Sequence, residues 1–176
     1  MVQAFTILRK KYLCSAELYL AGAKESDIRD ALRERQIRVE EVDWQKIHLL
    51  GDLGSEKLTD YYNLCDVFCM PSYFEAYGLV FAEALTYGLP CIGRDKFAMS
   101  EFIEDGCTGR LISGEDAEEL ALDLWEVLRD PKYREEVERR REWYLREYSW
   151  DKVAQRICSV MEKNERDKDQ YRSAGV

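Results

Sequence analysis

Between residues 17 and 113, short apolar runs alternate with stretches of helical periodicity, and that alternation predicts strands and helices taken in turn. Ahead of it, Phe5, Leu8, Tyr12 and Leu13 keep helical spacing, so the chain is expected to open on a helix that feeds a strand over 17–22 ending on Gly22. The charged segment beyond holds a helix over about 25–37, with Ile28, Leu32 and the Arg35 stem facing inward, then a polar connection to a strand over 46–51. Ser55 is a candidate N-cap for the next helix, whose apolar face is Leu58, Tyr61, Tyr62 and Cys65. Tyr61 and Tyr62 are read as helix packing rather than base stacking.

The run over 66–72 is almost continuously apolar and stops at Pro71, the pattern of a strand buried on both faces of a parallel sheet. A helix over about 77–87 follows, with Gly88 at its C′ position and Pro90 beyond. A strand over 90–93, a short helix closed by Gly106 and a strand over 109–113 complete the alternating part, and Met70 and Met99 are assigned to the core. From 115 onward the pattern is helical. Pro131 opens the second of these helices, and Ser149 caps a last one that presents Trp150, Val153, Ile157 and Val160 on one face before fraying into a charged tail. The expected fold is α/β, a Rossmann-like doubly wound parallel sheet with a helical C-terminal third.

Composition narrows the function. A chain of 176 residues suits one domain, and a net charge of -9 argues against nucleic acid as a partner. The six cysteines lie mostly among apolar neighbours, and the close pair Cys65 and Cys69 has no second pair to complete a zinc site, so buried reduced thiols are expected and no metal. Neither a secretory leader nor an apolar run of ~20 residues is present, which points to the cytoplasm, with peripheral membrane attachment left open for a longer parent chain. His48 is the sole histidine and stands in a strand, so it is assigned to packing, and no triad can be built. The basic run over 138–142 reads as a solvated helix face.

The stretch CMPSYFEAYGLVFAEALTYGLPCI, residues 69–92, places Glu75 and Glu83 on either side of Gly78, where a strand turns into a helix. Such a turn offers free N–H groups and the positive end of a helix dipole to an anion. The N–H groups of Gly78, Leu79 and Val80 are therefore candidate phosphate donors. Eight helical residues span at most about 12 Å, enough to put one carboxylate near each end of a diphosphate-linked molecule, and carboxylates accept well from sugar hydroxyls. The geometry suits a nucleotide sugar: Glu83 on the ribose, the turn on the diphosphate, Glu75 on the sugar. The competing assignment for Glu83 is a solvated helix face.

The string PSYFEAYGLVFAEALTYGLPCI resembles the signature of the retaining family 4, or group 1, glycosyltransferases of GT-B fold, through Pro71, Ser72, Glu75, Gly78, Leu79, Glu83, Ala84, Gly88 and Pro90. SEFIEDGCTGRLI, ELYLAG, KIHLLGDL, YYNLCDVF and YSWDKVAQRI resemble further family segments in the same order. The resemblance implies that residues 1–176 form the donor-binding, C-terminal domain, with a helical tail over 149–176. It places Glu75 by the donor sugar as the catalytic-site carboxylate and Glu83 on the ribose, with Gly51, Asp52 and Leu53 near the base and Gly22 close by. For these last four, strand-end turns are the alternative. It also implies retention through a front-face reaction, with neither metal nor cofactor.

Three departures accompany the resemblance. The family's first strand with its Arg/Lys loop is absent, as is the N-terminal acceptor domain, and Phe97 and Ala98 stand where many members have paired glycines. The chain alone is thus expected to transfer no sugar. Loss of a central strand is expected to leave a gap between 17–22 and 66–72, closed by direct pairing of those strands or by another chain, and self-association through exposed strand or helix surfaces is a liability. The alternative functions are a non-catalytic nucleotide- or sugar-binding module acting through a partner, and an interaction domain that binds no nucleotide.

Overall fold

Successive residues of a strand point to opposite faces, so Cys91 and Ile92, both fully buried, must sit in different cores. They do. The structure, a computed structural model, describes residues 1–13 and 15–173, with side chains of the last helix described to residue 163. Its strands are β1 (Leu18–Ala21), β2 (Ile47–Gly51), β3 (Phe68–Cys69), β4 (Cys91–Arg94) and β5 (Gly109–Ile112). Its α-helices are α1 (Val2–Lys11), α2 (Glu25–Glu34), α3 (Ser55–Leu64), α4 (Leu79–Thr86), α5 (Met99–Phe102), α6 (Ala117–Arg129), α7 (Lys132–Glu147) and α8 (Trp150–Ser173). Ile92 and Ile112 pack with Val2, Phe5 and Leu8 of α1 and Leu120, Ala121 and Leu124 of α6. Cys91 packs with Phe81, Ala84 and Leu85 of α4, Met99 and Phe102 of α5, and Val137 and Tyr144 of α7. Helices therefore cover both faces of parallel strands, which is the Rossmann-like α/β arrangement.

The strands form two parallel sheets, β1–β2 and β3–β4–β5, rather than one. Direct pairing of 17–22 with 66–72 is not what closes the gap. Instead the buried face of α1 (Val2, Ala4, Phe5, Leu8) shares one core with Leu18, Leu20 and Leu49 from the first sheet and Val67, Cys69, Ile92 and Ile112 from the second. Side-chain packing by a helix joins the halves where no strand ladder does. The same arrangement shortens β3 to two residues. Its N–H groups at Phe68 and Met70 donate to Pro90 and Ile92 carbonyls on the β4 side, and Pro71 supplies no further donor.

Several helix ends differ from expectation for local reasons. α2 stops at Glu34 because Gln36 takes φ 57, with Gln36 N–H bonding Arg33 O and Ile37 N–H bonding Leu32 O, a Schellman closure. The Arg35 side chain is exposed rather than inward. α1 ends at Lys11, which leaves Leu13 at φ 52 and exposed. Gly54, not Ser55, is the N-cap of α3, and α5 is a single turn ending well before Gly106. Gly88 closes α4 as expected, with Leu89 N–H on Ala84 O and Gly88 N–H on Leu85 O, and Arg141 Nε donates to the Thr86 carbonyl at 2.8 Å. Ser149 caps α8 through Lys152 N–H at 3.2 Å, and Trp150 and Ile157 are exposed on it. α8 continues to Ser173, through the charged segment from Glu162 that was expected to fray, and residues 174–176 lie outside the described residues.

Cys91 is buried and burial pushes the Cys69 thiol up to about 12, whereas Cys158 is exposed, a correction to uniformly buried thiols. Cys14 lies outside the described residues. His48 stacks on Tyr19 at 4.6 Å and meets Glu17 at 2.8 Å, a packing role. No helix among the described residues is long and apolar enough to cross a membrane.

On α7, Glu136 is held down at about 2 by Arg139 and then Arg140. A depressed carboxylate contributes stability above its ordinary range near 4.5 and loses it as pH falls toward 2. The melting temperature is therefore expected to fall between pH 4.5 and 2, and Glu136→Gln to fall less steeply across that interval than the parent. Parallel curves for the two proteins would contradict the role given to this pair.

Candidate functional site

The loop from β3 to α4 and the loop after β4 meet at one side chain. Arg94 ends β4 with 7 % of its surface exposed. Its Nε donates to the Pro71 carbonyl at 3.1 Å, its Nη1 donates to the Gly114 carbonyl, and its guanidinium lies 4.5 Å from the centroid of the Tyr73 ring. A buried cation needs such acceptors, and here they come from the chain just past β3 and β5. Tyr73 is fixed further: its hydroxyl donates to Glu115 at 2.6 Å and accepts from Arg35 at 3.0 Å.

Beyond Tyr73 the chain turns into α4 through Gly78, which has φ 81 and is the N-cap. A side chain there would be strained by the dihedral alone, and its Cβ would stand 3.0 Å from Phe81 Cδ2 and 3.3 Å from Glu75 Cγ. The Gly78 N–H donates to Glu75 Oε1 at 3.1 Å. Of the three amides expected to face an anion, this one is thus taken by Glu75, while Leu79 and Val80 are in the first turn, whose N–H groups have no intrahelical acceptor.

Glu83 points off α4 to the surface and accepts from the Tyr62 hydroxyl at 3.2 Å. Tyr62 is buried and stacked on Tyr87 with centroids 5.2 Å apart, and the Tyr87 and Thr59 hydroxyls bond each other at 3.2 Å. Burial, and next the Glu83 charge, push the Tyr62 phenol up, so it stays a neutral donor. Glu83 is therefore an exposed carboxylate on the helix face with one partner, Tyr62 of α3. Tyr62 was assigned to packing from the sequence; it packs, and it also holds Glu83.

Gly22 and Gly51 form a second group, joined by Gly22 N–H on Gly51 O at 2.7 Å with both at positive φ. Asp52 is exposed and Leu53 half-buried, one residue before the N-cap of α3. The link from this turn to the α4 group runs along α3 to Tyr62 and Glu83. Two surface depressions lie elsewhere. One of about 360 Å³ is lined by Lys10, Lys11, Arg38 and Glu118, and one of about 790 Å³ by Asp66, Pro90, Arg134 and Glu138. Their charges pair internally, as in Lys11–Glu118 and Arg134–Asp66, which leaves little to recognise a ligand.

A family model described as glycosyl transferases group 1 matches residues 1–144. The chain belongs to the group 1 glycosyl transferases. It is 32 % identical over 98 residues to the D-inositol 3-phosphate glycosyltransferase of Kribbella flavida, covering 56 % of this chain and 23 % of that one. It is 28 % identical over 149 residues to an uncharacterised glycosyltransferase of Methanocaldococcus jannaschii, covering 83 % of this chain and 37 % of the relative. Among solved structures, the pneumococcal O-GlcNAc transferase GtfA in complex with UDP and GlcNAc superposes with a TM-score of 0.67 at 26 % identity over 91 % of this chain and 32 % of that chain. The sucrose-phosphate synthase of Thermosynechococcus elongatus gives 0.70 at 21 % identity over 94 % and 43 %, a likeness of fold. The chain thus spans well under half the length of these glycosyltransferases.

The residue the sequence reading missed is Arg94. Its signal was present: a single charged side chain closing an otherwise apolar strand. Arg94→Met would leave the part-buried Pro71 and Gly114 carbonyls without their donor, at an upper bound of about 1–3 kcal/mol for each. The variant is expected to lose about 2–4 kcal/mol by chemical denaturation and to exchange amide hydrogens faster across 71–78. Unchanged stability would show that the bridge is replaceable by water.

Proposed function

We propose that this chain is the nucleotide-sugar-binding part of a retaining hexosyltransferase, acting with an acceptor-binding domain carried elsewhere in a longer protein. The observation that carries the reading is the orientation of Glu83. An exposed carboxylate held by a buried tyrosine, on the helix that Gly78 caps and Glu75 precedes, fits a ligand with hydroxyls flanking a diphosphate. The structural likeness to a transferase complexed with UDP and GlcNAc supports the same ligand class.

In this reading Glu83 accepts from the ribose hydroxyls. The Leu79 and Val80 amides face the diphosphate with the helix dipole behind them. Gly78 N–H joins them when the diphosphate, which carries more charge, competes with Glu75 for that donor. Displacement of Glu75 then frees its carboxylate toward the sugar, where it positions and electrostatically supports the anomeric centre rather than attacking it. Gly51, Asp52, Leu53 and Gly22 border the base. No metal or resident cofactor is required, since amides and dipole supply the stabilisation. A reaction carried out between two domains leaves the acceptor to the other domain, so the isolated chain binds donor without transferring it.

Titration with UDP, GDP and ADP tests the reading. One base is expected to be preferred, with Glu83→Ala weakening that nucleotide by about 10-fold, the loss of a charge-assisted pair, and Tyr62→Phe by less. Failure of all three nucleotides to bind at millimolar concentration would overturn it.

A further inference from the structure

Phe97 adopts φ 56, the left-handed region where a Cβ crowds the neighbouring carbonyl, and it is one of three non-glycine residues at positive φ among those described. Burial does not offset that strain, because 51 % of the residue is exposed. Its ring meets that of Phe74, itself 73 % exposed, edge to face with centroids 5.3 Å apart and planes at 69°. Two large apolar rings thus stand together in water, Phe97 on a strained backbone and Phe74 immediately before Glu75 in the chain.

Both loops that carry the rings are anchored. Arg94 ties the Phe97 loop to Pro71 and to the ring of Tyr73, and the Arg94 N–H donates to Met99 Sδ at 3.3 Å. Tyr73, held by Glu115 and Arg35, precedes Phe74. The corner is therefore preformed. The pair leaves much of both rings in contact with water, an apolar surface beside a carboxylate. A pyranose offers a face of C–H groups to such a surface and a rim of hydroxyls to the adjacent carboxylate.

We propose that Phe74 and Phe97 form the apolar wall of the sugar subsite, packing against the C–H face of the transferred pyranose while Glu75 accepts from its hydroxyls. This rests on the donor-binding reading above. The wall sets how much affinity the sugar adds beyond the nucleotide, so it governs donor specificity without touching the nucleoside.

The test compares dissociation constants of the full 176-residue chain for its preferred nucleoside diphosphate and for that nucleotide's glucose, galactose, mannose and N-acetylglucosamine conjugates. At least one conjugate is expected to bind the parent more tightly than the bare nucleotide. Phe97→Gly and Phe74→Ala should each reduce that gain by about 2–10-fold, the value of one aromatic contact, with the bare nucleotide within about 2-fold of the parent. The melting temperature of each variant is measured alongside, so that a loss of sugar affinity is separated from any loss of folding. If the nucleotide binds through Glu83 but no conjugate gains affinity, or the gain is unchanged in both variants, the wall is wrong and the donor reading survives. If the variants weaken the bare nucleotide equally, the rings contact the nucleoside and the sugar assignment falls. If no nucleotide binds the parent, the donor reading and the wall fail together.

Discussion

A guanidinium with almost no access to water must be surrounded by acceptors, and for Arg94 these are the carbonyls of Pro71 and Gly114 and the face of Tyr73. Those partners follow β3 and β5, while the arginine itself ends β4. One side chain therefore sets the relative positions of three strand ends, and with them the loop that carries Tyr73, Phe74 and Glu75. The cost of desolvating the cation ensures that the loops stay where its acceptors are needed. Glu75, Gly78 and Phe97 are placed by this bridge before any contact of their own is counted.

On the other side of α4 the anchor is aromatic. Tyr62 reaches from α3 with its ring stacked on Tyr87, and its hydroxyl fixes Glu83. The two carboxylates are thus held by different means: Glu75 by the backbone of its own turn, Glu83 by a side chain from another helix. Glu75 can exchange its partner for a ligand at little structural cost, whereas Glu83 keeps its orientation. That asymmetry suits a fixed contact to a ribose and a movable one to a sugar.

Much of this was legible along the chain. Alternating runs gave the α/β order, Gly88 and Pro90 marked the end of α4, and Ser149 marked the start of α8, because each depends on local backbone chemistry. The Glu75–Gly78 spacing marked the turn into α4, where the Gly78 N–H meets the Glu75 carboxylate. What escaped is tertiary. Nothing near Tyr62 announces a partner 21 residues away, the polar Gln36 gives no sign of a left-handed closure, and the two-residue β3 follows from pairing on one side only. The packing of α1 across both sheets was equally hidden, since Val2, Phe5 and Leu8 show only that the helix has an apolar face, not what lies against it. Phe97 was noticed as bulk, but its positive φ and its contact with Phe74 appear only in three dimensions.

The central claim is that the first turn of α4 and Glu83 together receive a nucleoside diphosphate. The most direct measurement is a two-dimensional amide NMR titration of the isotopically labelled chain with the nucleotide it binds best. The largest shifts are expected at Gly78, Leu79, Val80 and Glu83, with smaller ones at Gly51–Leu53 and little change along α7. Shifts concentrated around Lys10, Lys11 and Arg38, or along the Pro131–Glu138 surface, with α4 unmoved, would contradict it.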